Sequence, residues 1–155
     1  MQKEFLLTKK SYDDLNEELE YLSTTKRLEI AKNLKIAAEY GDLKENSEFD
    51  AEKENQAIVE SRIYEINNMI MNCKIVENTN DTKNINLGCK VLLFDFEFEE
   101  EVTYTIVDTV QADPLENLIS YDSPIGRALM NKTVNDEINV ELPFGSATFK
   151  ILETL

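Results

Sequence analysis

Apolar residues recur at helical spacing through the first half of this chain and at strand spacing through the second. A single layer cannot satisfy both periods, so the fold has to contain two kinds of structure in sequence. Residues 8–77 contain one glycine, Gly41, and no proline. Within them Tyr12, Leu15, Leu19 and Leu22 are spaced 3, 4, 3, the seam of a coiled coil. Ile30, Leu34 and Ala37 resume the stripe after a polar gap at Lys26 and Arg27. Beyond Gly41, Val59, Ile63, Ile66, Ile70 and Cys73 repeat with 4, 3, 4, 3. Thr8 or Ser11 can cap the first helix, because each has an oxygen for an orphan N–H. Two such helices joined by one short break each leave an apolar stripe uncovered. Folding back as an antiparallel hairpin covers both, with Leu15 near Cys73 and Leu22 near Ile66. Arms of about 28 residues would be roughly 40 Å long at 1.5 Å per residue. A coiled-coil spacer or dimeriser accounts for this half equally well.

After a polar stretch the period becomes two. Val91 and Leu93 alternate, then Val102, Tyr104 and Ile106, then Ile138, Val140 and Leu142, then Ala147, Phe149 and Ile151. Ser123 as N-cap and Pro124 at the first helical position start one short helix through Met130. Pro143-Phe144-Gly145 makes the turn between the last two strands, and Phe96 to Glu101 reads as a hairpin end. The reading is therefore an α+β chain: an N-terminal antiparallel coiled-coil domain over 1–78 with an acidic tip at 41–48, a linker at 79–84, and a small domain on a mostly antiparallel sheet over 85–155.

Charge narrows the chemistry. The 155 residues hold 31 Asp plus Glu against 16 Lys plus Arg and no His, a net charge of −15. Without histidine, Ser-His-Asp and Cys-His nucleophilic sites are excluded, as are imidazole-bound zinc sites. The acidic excess argues against unaided binding to duplex DNA. Cys73 and Cys89 make no metal pattern and read as reduced packing residues. With no leader-like segment and no apolar run of about 20 residues, the expected location is the cytoplasm, with no membrane partner.

The remaining chemistry belongs to carboxylates, and the turn at Gly41 concentrates them. Gly41 can adopt the left-handed conformation that ends a helix. Asp42 can cap the next helix, with Glu45 at the third position of a capping box. Two carboxylates three residues apart at a tight turn can also point the same way. Mg²⁺ keeps several waters and accepts one or two carboxylates plus substrate phosphates. Such a pair needs another molecule to supply the remaining ligands.

The run Gly41-Asp42-Leu43-Lys44-Glu45-Asn46-Ser47-Glu48-Phe49, followed by Ala51, Lys53, Glu54 and Gln56, resembles the tip signature of the bacterial transcript-cleavage factors of the GreA/GreB family. Ile119-Ser120, Ser123-Pro124-Ile125 and Arg127-Ala128-Leu129, with Lys132, Val134, Asp136, Pro143 and Gly145, resemble that family's C-terminal motif. The resemblance implies an antiparallel coiled coil followed by an FKBP-like domain. It implies that the second domain docks on the rim of RNA polymerase's secondary channel through Asp122, Ser123, Pro124 and Ile125. It further implies that the tip reaches the active centre, where Asp42 and Glu45, with Glu48 in support, share Mg²⁺ with the polymerase, so that a backtracked enzyme cuts its nascent RNA 3′ end. On this reading the chain is not itself an enzyme. Lys35, Lys44 and Lys53 are the candidate RNA contacts, because Ala38 stands where the family commonly has arginine. Phe49 replaces a usual tyrosine, and Gly126 replaces a common alanine, which would weaken its helix slightly. Two other readings remain open: a channel-binding factor that inhibits or pauses polymerase, and a structural or chaperone-like coiled-coil protein.

Overall fold

A computed structural model describes residues 3–41, 45–77 and 83–155. Among these, no helix is long and apolar enough to cross a membrane. The chain forms two compact units, Met1–Phe5 with Tyr12–Lys74 and Leu6–Ser11 with Ile75–Leu155.

The first unit is a helical hairpin. Strand β1 (Phe5–Leu7) leads into helix α1 (Lys9–Tyr21), a π-helical turn (Leu22–Lys26) and helix α2 (Arg27–Ala38). The chain returns as helix α3 (Ser47–Met71). Thr8 caps α1 as its sequence allows, its hydroxyl accepting from Ser11 N at 3.2 Å. Buried Ile30, Val59 and Ile63 form the seam, with Leu19, Leu22 and Leu34 packed against them. Arg27 pairs with Glu60 at 2.8 Å and Arg62 with Glu18 at 2.8 Å, which fixes the antiparallel register.

The π turn explains the polar gap at Lys26 and Arg27. Continuing the 3, 4 spacing from Leu22 would put apolar residues at 29, 33 and 36. A π turn holds one extra residue, so the stripe moves by one to Ile30, Leu34 and Ala37. Ser23 and Thr24 within it donate their hydroxyls to the carbonyls of Leu19 and Glu20, the back-bonding that loosens a helical ladder.

The hairpin base departs from the heptad reading. Helix α3 ends at Met71, and Cys73 lies in strand β2 (Cys73–Ile75), which pairs with β1. Phe5 N donates to Asn72 O at 2.9 Å, so strand pairing replaces the last expected seam position. The short strand β1 carries too few residues to show a period, and the sequence did not reveal it.

The second unit is a five-stranded curled sheet ordered β5-β4-β3-β7-β6. Its strands are β3 (Lys90–Asp95), β4 (Glu100–Val107), β5 (Leu118–Ser120), β6 (Glu137–Leu142) and β7 (Gly145–Thr154). All neighbours run antiparallel except β4 and β5, which are parallel. Alternate residues Val91, Leu93, Ile106, Ile138, Val140, Phe149 and Ile151 build one core with Leu129 of helix α4 (Pro124–Leu129). Strand β5 is a further addition to the sequence reading, which saw Ile119 and Ser120 only as part of a motif. Asp108 is fully buried, accepting from Thr8 N at 3.0 Å, Val110 N at 3.1 Å and Gln111 N at 2.9 Å. These bonds replace the water a buried carboxylate loses. Of the expected linker, residues 79–82 lie outside the described residues.

Candidate functional site

Helix α2 closes with tight turns, Glu39 N donating to Ile36 O and Tyr40 N to Ala37 O at 3.2 Å. Gly41 follows with φ +122°, in the region that favours glycine. Asp42, Leu43 and Lys44 lie outside the described residues, so three members of the expected tip have no described position.

The start of α3 corrects the expected capping box. Asn46, not Asp42, is the N-cap: its backbone is extended, and Oδ1 accepts from Phe49 N at 3.1 Å. Helix α3 therefore begins four residues later than an Asp42 cap would require, and Glu45 stands before the cap. The physical reason is a second bond. Asn46 Nδ2 donates to Ala37 O at 2.6 Å, tying the start of α3 to the end of α2. Asparagine can accept and donate at once, whereas aspartate only accepts. The signal was legible in principle, since Asn46-Ser47-Glu48-Phe49 carries an asparagine at a position suited to capping.

This arrangement puts Glu45 just outside the helix and Glu48 in its first turn, both exposed. Acidic groups suit the positive end of the helix dipole. Tyr40, Glu45, Asn46, Ser47 and Glu48 line one shallow cleft at the tip. The donor set is oxygen only, which fits a hard cation such as Mg²⁺. Among the described residues no three ligating side chains come together.

The expected RNA-contacting lysines are placed separately. Lys35 is exposed in the last turn of α2. Lys53 is exposed on α3, its Nζ 5.8 Å from the Phe49 ring and 3.3 Å from Gln56 Oε1. Phe49 thus serves as a platform for Lys53, a role that does not need the tyrosine hydroxyl.

The second candidate element is the turn into α4. Ser123 is the N-cap, its Oγ accepting from Gly126 N at 3.1 Å and donating to Ser120 O at 2.7 Å. Pro124 occupies the first helical position, as its sequence predicts, and is exposed. Asp122 accepts from Arg127 Nη2 at 2.8 Å. Ile125 is half-buried against the core and lines a cleft with Phe98, Tyr104 and Phe144. Gly126 has a packing role that the comparison of helix propensities does not show. It is buried, and a Cβ there would lie 2.0 Å from Ser120 O. A side chain at this position would require that carbonyl to shift.

The two candidate elements are thus a helical hairpin with exposed carboxylates at its turn and a curled sheet with a capped proline turn. Residues 5–75 match the family "Transcription elongation factor, N-terminal", and residues 80–154 match "Transcription elongation factor, GreA/GreB, C-term". The chain is 46% identical over 153 residues to transcription elongation factor GreA of Clostridium acetobutylicum, covering 97% of this chain and 96% of that one. It is 46% identical over 155 residues to GreA of Thermoanaerobacter pseudethanolicus (99% and 98%), and 45% identical over 152 residues to GreA of Clostridioides difficile (97% and 96%). A solved structure described as the transcription factor Gfh1 is 29% identical, covers 99% of both chains and superposes with a TM-score of 0.49. The chain belongs to the GreA/GreB family of transcription elongation factors.

Proposed function

We propose that this elongation factor binds RNA polymerase at the rim of its secondary channel and stimulates Mg²⁺-dependent cleavage of the nascent RNA 3′ end in backtracked complexes. Its place of action is then the cytoplasm, and the polymerase, not the factor, owns the active site. The carrying observation is that Glu45 and Glu48 stand exposed at the end of a hairpin whose two arms are tied together by Asn46. Family membership supports extending this to Asp42. We also take the hairpin as an antiparallel coiled coil, supported by the spacing of Val59, Ile63 and Ile66, and the second unit as FKBP-like. It would dock through Asp122, Ser123, Pro124 and Ile125.

In this mechanism the hairpin delivers anionic oxygens to a centre that already holds carboxylates and a cation. Glu45, with Asp42, would hold the Mg²⁺, and Glu48 would support them. When bound, that ion polarises the phosphodiester and lowers the pKa of the attacking water. Glu45 would contribute negative charge where charge develops in the reaction, and the Asn46 bonds hold the backbone beside it to the end of α2. No histidine base is needed. Lys35, Lys44 and Lys53 would screen transcript phosphates, and the factor's net charge of −15 leaves the grip on nucleic acid to the polymerase.

The test is single-round transcript cleavage on stalled complexes with purified polymerase. Asp42→Asn and Glu45→Gln should each lower stimulated cleavage by about 10²–10³-fold, with polymerase binding intact. Undiminished cutting by both variants overturns the assignment. Substituting Pro124 with Asp should abolish binding without unfolding the sheet unit, and a pull-down with unchanged affinity contradicts the docking role.

A further inference from the structure

The tip also presents a side chain that neither the metal nor the lysines account for. Tyr40 is 74% exposed. A lone exposed aromatic is ordinary on a surface, but the placement of this one is unusual. Its backbone is fixed by the Ala37 bond at 3.2 Å. Tyr40 lines the same cleft as Glu45 and Glu48. The neighbouring aromatic, Phe49, is half-buried and faces Lys53, so the two rings are used differently.

Electrostatics sharpen the point. A tip that presents carboxylates repels the phosphates of the strand it has to approach, and the charge balance of the whole chain adds to that repulsion. The lysines offset part of that repulsion, and affinity for the strand at this cleft gains from a contact that does not depend on charge. Stacking of a nucleobase on an aromatic ring supplies it, and it is sequence-tolerant because every base has a π face.

We propose that Tyr40 is a stacking platform for the 3′-terminal base of a single RNA strand, holding that nucleotide beside Glu45. The proposal rests on the transcript-cleavage reading and adds to it a ligand contact at the nucleobase. Ring area, not the phenol hydroxyl, carries the effect, so phenylalanine replaces tyrosine and alanine does not.

The test uses full-length factor with stalled polymerase complexes whose transcripts end in either a normal or an abasic 3′ nucleotide. With normal RNA, Tyr40→Ala should slow stimulated cleavage by about tenfold, within the range expected for one stacked base, and Tyr40→Phe should match the unsubstituted factor. With abasic RNA the unsubstituted factor should fall to the Tyr40→Ala rate, and Tyr40→Ala should cost nothing more. Wild-type cutting of normal RNA by Tyr40→Ala overturns the proposal. So does equal slowing on both RNAs, which would mean a structural role. If the unsubstituted factor stimulates no cutting of normal RNA, the functional reading itself fails, and this proposal fails with it.

Discussion

The helix starts of the two candidate elements, one in each unit, solve one problem with opposite surroundings. At each, an extended residue accepts a hydrogen bond from the N–H three residues on: Asn46 from Phe49 and Ser123 from Gly126, both at 3.1 Å. Among the described residues the tip leaves open space, since a Cβ on Gly41 would meet none of their atoms within 4 Å. Behind the α4 turn there is a wall, with Ser120 O lying 2.0 Å from a Cβ on Gly126. That carbonyl also accepts from Ser123 N at 3.0 Å and Ser123 Oγ at 2.7 Å. The tip is held by a few bonds and leaves its charges in water, whereas the α4 turn is held by packing. On the proposed function, polymerase would meet chemistry at the first and shape at the second.

Alanine at the two glycines separates these cases most strongly. Gly126→Ala drives a methyl into a carbonyl that two hydrogen bonds already hold, and overpacking of that kind should cost about 3 kcal/mol. The sheet unit's melting temperature should fall by more than about 10 °C, and amide exchange should rise across β3, β4 and β7 while the hairpin stays protected. Gly41→Ala meets no atom of the described residues and pays only for its backbone angle, about 1–3 kcal/mol, confined to the tip. Equal losses from both substitutions would erase the contrast between a packed turn and an open one.

Asn46 gives a finer test of the tip. Asn46→Asp keeps the cap acceptor and loses the donor to Ala37 O, whereas Asn46→Ala loses both. Loss of the cap alone should cost about 1 kcal/mol, so alanine should melt the hairpin lower than aspartate does. Both variants should reduce transcript cleavage more than they reduce polymerase binding, because the carboxylates remain but are less well held. If aspartate matches the unsubstituted factor in cleavage, the tie between α2 and α3 is not what positions Glu45.

These differences also show which parts of the molecule could be read from sequence. The strands of the second unit were legible because alternation at Val91 and Leu93, or at Ala147, Phe149 and Ile151, follows directly from a two-residue repeat with one buried face. The Ser123-Pro124 start was legible because capping is local chemistry. The Asn46 cap was missed because Asp42 and Glu45 also satisfy a capping pattern. The bond that decides the matter runs nine residues back to Ala37. The need for Gly126 was invisible for the same reason, since it depends on where Ser120 arrives in space. The π turn lay between these cases: the one-residue slip from Leu22 to Ile30 was present in the spacing, but a polar gap is an equally good description until the register of α3 is known.

The smallest effect sharpens the comparison by pH. On the hairpin, Glu60 is held below the ordinary carboxylate range, chiefly by its hydrogen bonds to Arg27, with burial opposing. A lowered folded-state pKa contributes stability above the ordinary carboxylate value, and that contribution is lost as pH falls. The pair is exposed, so the loss is slight. In the sheet unit, Tyr104 is pushed above the ordinary phenol value, first by burial and then by the charges of Asp95 and Glu100. A raised folded-state pKa contributes stability present below the ordinary phenol value, near 10, and lost as pH rises past it. The hairpin should therefore soften first toward acid and the sheet unit toward alkali. Amide exchange measured unit by unit should show Glu60→Gln flattening only the acid limb of the hairpin, and Tyr104→Phe only the alkaline limb of the sheet. If either substitution changes the opposite limb, or if both units follow one profile, the two units do not carry separate electrostatic controls.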